Sequence, residues 1–423
     1  MLAATTVLGL SATVAILRLT STEARELTLP VPRPDEAKTP TVALSSEPRV
    51  RSTIVANSTS AEPATGESEP TAVPSPDRPE PHYRWERIPG VAELVGPGAG
   101  SGLSAVALVE GEGLIAVGNA ESTPVVLVSP DGREWTRVDE AEPSLQGAVL
   151  RDVAVVGERL VAVGSLKGEP AAWASSDGVR WTPISITMPA DARTLGVLDG
   201  IAVSPNGAVV AVGFAAGSSG IWALAEGSFT PVQGLHPLPA GGQVLADVAS
   251  TAVGLVAGGN DADGRPVIWR SDDAQAWVRS DPPSDGRGAS VAAVGEVAGR
   301  LVAVGYDADG ARMWTAVEDA RWHDVAAPPA TGGRPQALWA VARGERGGLA
   351  GGQRPGGSLC WASGDGAAWV DCHPGEDLVV ATTRDLISTA DGFVAVGSAT
   401  DADSGAGAAI WRVEQDNQAA LSR

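Results

Sequence analysis

The chain has 423 residues and a formal net charge of −21, with a pI near 4.6, so it repels nucleic acid and anionic membrane surfaces and leaves cationic partners or metal ions open. Two cysteines and four scattered histidines (His82, His236, His323, His373) assemble no zinc or copper ligand set.

Leu2 to Leu17 is an uninterrupted run without charges that ends at Arg18. It reads as an export signal or a short membrane anchor, with residues 1–27 forming this segment and its polar flank. Residues 28–82 contain eleven prolines in fifty-five positions and no aromatic residue. Such a segment buries too little surface to fold and is expected to be an extended, disordered stalk.

From residue 103 the chain repeats. A small-residue strand ending in glycine recurs at Gly118, Gly164, Gly213, Gly259, Gly305, Gly352 and Gly397, at spacings of 46, 49, 46, 46, 47 and 45. A fixed period of that size marks a repeat architecture. In the unit Arg151–Ile184, alternating polarity and turn residues predict four strands: Arg151–Val156, Arg159–Gly164, Ala171–Ser175 and Val179–Ile184. One four-stranded sheet cannot bury both of its faces. The units must therefore stack and close radially, giving an all-β, seven-bladed β-propeller of four-stranded antiparallel blades over residues 83–413, with a tail at 414–423. Tryptophans eight apart (Trp173 and Trp181, Trp269 and Trp277, Trp314 and Trp322, Trp361 and Trp369) are read as wedges between blades. Trp411 has no such companion after it, whereas Tyr83–Ile88 matches an outer strand. That stretch is expected to complete blade seven.

Acidic residues supply the candidate sites. Asp152, Asp199, Asp247 and Asp385 lie near the start of innermost strands, where they ring one mouth of the central channel. They either bind a cation or basic group or cap backbone amides between adjacent blades. The sequences DADG at Asp261–Gly264 and Asp307–Gly310, and DADSG from Asp401, resemble parts of a calcium loop without its further ligands. Asp261, Asp263, Asp307 and Asp309 are thus candidates for calcium or simple hairpin-turn residues, and no other cofactor is indicated. Cys360 and Cys372 flank the sixth hairpin, and a loop centred on Gly366 places them opposite each other as a disulfide.

The hairpins SPDGREW (Ser129–Trp135), SSDGVRW (Ser175–Trp181), SDDAQAW (Ser271–Trp277) and SGDGAAW (Ser363–Trp369) resemble shortened Asp-box turns of the sialidase-like, BNR-repeat propellers. The glycine-ended strand followed by paired aromatics is also similar to kelch repeats. The resemblance implies a structural role for the serine and aspartate of each box. It carries over no sialidase machinery: Arg87-Ile88-Pro89 falls on an outer strand, and neither Tyr83 nor Tyr306 sits on an inner one. The resulting expectation is an extracytoplasmic, monomeric binding or scaffold propeller from a high-GC bacterial source, held at the membrane only through its N-terminal segment or secreted. Its partner is a protein or carbohydrate at the cell surface. The alternative is a glycan-active hydrolase or lyase using the channel-mouth carboxylates. Partners are expected on the rim with the variable loops, at Ile186–Leu198, Gly234–Leu245, Asp281–Gly288, Pro328–Arg334 and His373–Thr383.

Overall fold

A computed structural model describes residues 83–415 except 97, 99, 139–142, 189–194, 216–217, 233–243, 262, 284–287, 318–320, 327, 329–336, 355–356, 373–380 and 402–404. The N-terminal segment, the stalk, the last residues of the tail and most of the variable-loop positions lie outside the described residues.

The ring has seven four-stranded antiparallel blades, with inner strands Gly102–Val109, Ala148–Val156, Gly196–Val203, Val244–Thr251, Ser290–Val297, Ala337–Gly344 and Ala381–Thr389. Each inner strand contacts the next, and the seventh contacts the first. Closure is made by Tyr83–Arg87, which forms the outer strand of blade seven by pairing antiparallel with Gly405–Gln415 from Tyr83↔Gln415 to Arg87↔Trp411. An ion pair of 2.6 Å between Arg84 and Glu414 and the Ile88 amide bonded to the Ile410 carbonyl fix that register.

The recurring glycine has one cause. Each inner strand carries a bulge opposite it, as between Leu150 and Asp152 facing Gly164 and between Thr383 and Asp385 facing Gly397. The bulge pushes a backbone carbonyl against the second strand. A Cβ at Gly164 would overlap the Val149 carbonyl oxygen, and one at Gly397 would overlap that of Thr382.

The aromatic pairs are inter-blade wedges, as their spacing indicated. Trp173 and Trp181 share the cluster between blades one and two, and Trp361 and Trp369 the one between five and six. Burying each ring contributes about 4–6 kcal/mol of transfer free energy. Blade seven completes its own pair across the seam, where Trp85 of the closing strand meets Trp411 edge-on at 6.4 Å.

Three Asp-box turns share one pattern, and the turn at Ser271 keeps its aspartate and tryptophan bonds. Ser175 Oγ accepts from the amides of Asp177 and Gly178, Asp177 Oδ1 accepts from those of Val179 and Arg180, and Trp181 Nε1 donates to the Gly178 carbonyl. Because this turn consumes every residue through Trp181, the outer strand runs from Thr182 to Ile186 and starts later than the expected Val179. Gly132, Gly178 and Gly366 adopt φ of 70–74°, and Ala274 takes the same place at 64°.

Two details distinguish particular blades. The outer strands of blades two (Thr182–Ile186) and three (Ser228–Pro231) pair in parallel, merging both blades into one eight-stranded sheet. In blade six, Cys360 and Cys372 are bonded as a disulfide with Cα atoms 5.3 Å apart. The neighbouring pair Trp361↔Asp371 confirms a loop centre at Gly366, and both cysteines face the blade-seven side while Trp361 and Trp369 face blade five.

Candidate functional site at the channel mouth

The bulges set the chemistry of the mouth. The extra residues are Ser104, Arg151, Asp199, Ala246, Ala292, Trp339 and Arg384, one per blade at the start of the inner strand. A bulge interrupts the ladder and frees a backbone amide that must find another acceptor.

Three of the four mouth aspartates provide those acceptors. Asp152 accepts from the amide of Val153 in its own strand at 2.7 Å and from Ile201 of blade three at 2.8 Å. Asp247 does the same for Val248 and for Val294 of blade five, both at 2.8 Å. Asp385 takes Leu386 at 2.7 Å and Val106 of blade one at 2.8 Å, across the ring seam. Each carboxylate thus joins the equivalent bulge amides of two successive blades: two with three, four with five, and seven with one.

Burial disfavours the charged forms of these groups. It pushes the Asp247 carboxyl up to about 6 and that of Asp385 to about 7, the amide hydrogen bonds opposing the shift in both. Asp152 is raised well above the ordinary range, first by burial and then by the charge of Asp385.

Asp199 differs from its expected companions. It is itself the extra residue of its bulge, one register position before theirs, and so shares its place with Arg151 and Arg384. Its carboxylate faces Arg151, with Nε 3.8 Å from Oδ1, and burial raises its pKa to about 6 against the pull of that arginine.

The residues that reach the solvent side of the mouth are ones the sequence reading passed over. The Arg384 guanidinium lies over the Trp339 ring, 4.8 Å from its centroid, and Tyr306 packs against the same indole at 5.2 Å and a 55° tilt. Trp339 Nε1 is buried and has no hydrogen-bond partner among the described residues. Partial loss of hydration, and then the like charge of Arg151, lower the Arg384 pKa. The signal was available in the repeat: Arg151, Trp339 and Arg384 each stand thirteen residues before their glycine mark.

The calcium candidates sit in hairpin turns elsewhere. Asp261 Oδ1 accepts from the amides of Asp263 and Arg265, and its other oxygen meets Arg279 at 3.5 Å. Asp307 Oδ1 accepts from the Asp309 and Gly310 amides, and Oδ2 lies 3.2 Å from Arg312. Asp263 lies 3.6 Å from Arg265. The side chain of Asp401 is outside the described residues. Among those residues no three His, Cys, Asp or Glu side chains converge as a metal-binding group.

At the opposite end of the channel, on the rim of the short turns, the inner strands of blades four to seven enclose a cavity of about 420 Å³. Val294, Val341 and Leu386 form its wall. Glu296 stands at its lip, accepting from the Ala252 amide at 2.6 Å and pairing with Arg343 at 3.4 Å.

No protein-family model matches the chain, and no curated protein is significantly similar to it. Among solved structures, a catalytically inactive variant of virginiamycin B lyase from Staphylococcus aureus with quinupristin superposes at a TM-score of 0.55 and 9% identity, covering 79% of this chain and 99% of that one. YCF48 bound to D1 peptide superposes at 0.53 and 15% identity, covering 81% and 96%. A Trypanosoma rangeli sialidase follows at 0.42 and 14%, covering 78% and 58%, too loose a match to carry an argument. The likeness is one of fold, a β-propeller.

Proposed function

We propose that the chain is a non-catalytic, extracytoplasmic binding or scaffold propeller for a protein or carbohydrate partner. In this reading residues 28–82 act as a stalk, and residues 1–27 export the protein or anchor it. The observation that carries the reading is the engagement of the mouth carboxylates. Asp152, Asp247 and Asp385 have both oxygens committed to backbone amides of two blades, whereas a general acid or nucleophile needs an oxygen facing substrate. What remains at the surface of the mouth is an arginine and aromatic lining suited to recognition on a rigid scaffold. YCF48, of the same fold, is seen with a peptide.

A glycan-active hydrolase or lyase is the second reading, favoured by the raised pKa values, since perturbed carboxylates mark many active sites. Glycan-array and pull-down screening of the full chain separates the two. Retention of a partner without chemical change supports the binding module. Product formation that disappears in a folded Asp385→Asn variant overturns it. Fractionation of the native host tests the extracytoplasmic placement.

A further inference from the structure

We infer that the channel mouth is an anion site formed by Arg151 and Arg384 with Trp339, and that its ligand is a carboxylate side chain of an acidic peptide segment. The inference rests on the proposed partner-binding role and specifies the chemistry of that partner.

Four observations converge on it. The fold places Arg151 of blade two and Arg384 of blade seven at the same bulge position, on either side of blade one. Arg384, partly withdrawn from water, feels the like charge of Arg151, and such a juxtaposition is costly unless an anion offsets it. Asp199 only partly offsets Arg151, at 3.8 Å and on the side of blade three. The remaining mouth carboxylates are turned into the ring, where backbone amides occupy their oxygens. In a chain of net charge −21, two arginines therefore face outward with their counter-charges withdrawn. Trp339, whose ring lies under Arg384, has a buried Nε1 without a partner among the described residues, and a carboxylate drawn in against Arg384 can accept from guanidinium and indole donors together.

The aromatic residues favour a peptide over a sugar. Carbohydrate binding uses an open aromatic face, yet the Trp339 ring is overlaid by Arg384 and flanked by Tyr306. What the cluster offers is hydrogen-bond donors for a charged group, not a stacking platform.

The test is isothermal titration of the full chain with a glutamate-rich decapeptide, an oligogalacturonate of similar charge, and inorganic phosphate. The peptide is expected to bind, more weakly as salt rises. Arg151→Gln and Arg384→Gln should each weaken it about tenfold or more, as loss of a charge-assisted contact does. Trp339→Phe, which keeps the ring and removes the N–H, should weaken it about threefold or more. Arg159→Gln, on the opposite rim, should leave it unchanged, and unaltered melting temperatures establish that each variant is folded. Absence of peptide binding, or binding indifferent to both arginine substitutions, overturns the site. Binding of oligogalacturonate or phosphate with none of peptide overturns its ligand class. In either case a partner retained on the arrays leaves the proposed function standing, whereas turnover of a glycan removes that reading itself.

Discussion

Replacing Asp247 by Asn separates the two things its carboxylate does, bridging two blades and carrying a proton. Asparagine keeps an acceptor for one amide but turns an NH₂ group toward the other, so either Val248 or Val294 loses its partner at every pH. That loss costs about 1–3 kcal/mol. The titration adds a part that varies with pH. Burial raises the folded-state pKa from 3.8 to about 6, so the folded protein retains a proton that the unfolded chain has released. The resulting stability is fully present below the unfolded pKa and is lost as pH rises through the folded one, about 3 kcal/mol over that window. The variant has no such group, and removing its charge also relieves Asp152 and Asp385. Urea unfolding of wild type and variant from about pH 4 to about pH 7.5 should therefore show the variant's deficit shrinking, by about 3 kcal/mol, as pH rises. A deficit that stays constant across the series refutes the assignment of Asp247 as a proton-retaining bridge.

Other substitutions test the scaffold. Gly178→Ala should cost about 1 kcal/mol for its left-handed backbone, because the new methyl meets Ile115, Val128 and Leu160 at ordinary contact distances and the third box already tolerates Ala274. Gly366→Ala should cost about 3 kcal/mol or more, because its methyl overlaps the Val297 carbonyl oxygen; equal losses in thermal melts would refute the distinction. Reducing the Cys360–Cys372 bond, which closes a short loop, should lower stability by about 3 kcal/mol, read as a lower urea midpoint with dithiothreitol than without and absent in Cys372→Ser. Deleting residues 83–88 strips Tyr83 and Trp85 from Phe393 and Trp411 and should lower the melting temperature far more than deleting 28–80; matching temperatures would count against the seam.

The architecture was legible because repetition and local chemistry encode it. The glycine marks, the tryptophan pairs and the sixth hairpin's symmetry about Gly366 each involve residues within a single unit. The orphan strand at Tyr83 was recognisable for a related reason, being a fourth-strand pattern without the other three strands. The mouth was harder to read because its contacts cross between units. Asp152 meets an amide 49 residues away, Asp247 one 47 away and Asp385 one 279 away. The candidate aspartates lie near the starts of their inner strands, but a sequence does not display which way a carboxylate turns or that a bulge offsets Asp199 from the others. Arg151 and Arg384 do repeat at one position, each just before a candidate aspartate, but Trp339 stands there alone in its unit, and the sequence does not display that this position is a bulge facing the mouth. The merged edge of blades two and three likewise leaves no signature, since it depends on where two outer strands end in space.

The seam between Tyr83–Arg87 and Gly405–Gln415 has a kinetic consequence. The first strand of the ring to be synthesised pairs with the last, so the ring cannot close until Gln415 exists, however early the separate blades condense. Until then the inner strand of blade one lacks Asp385, the acceptor for its Val106 amide. The growing chain also carries an unpaired sheet edge throughout that interval, which makes the partly made ring the species most exposed to wrong pairing. Closure of the seam therefore has to wait for the last strand to be made, and the closing strand stays without its partner until then.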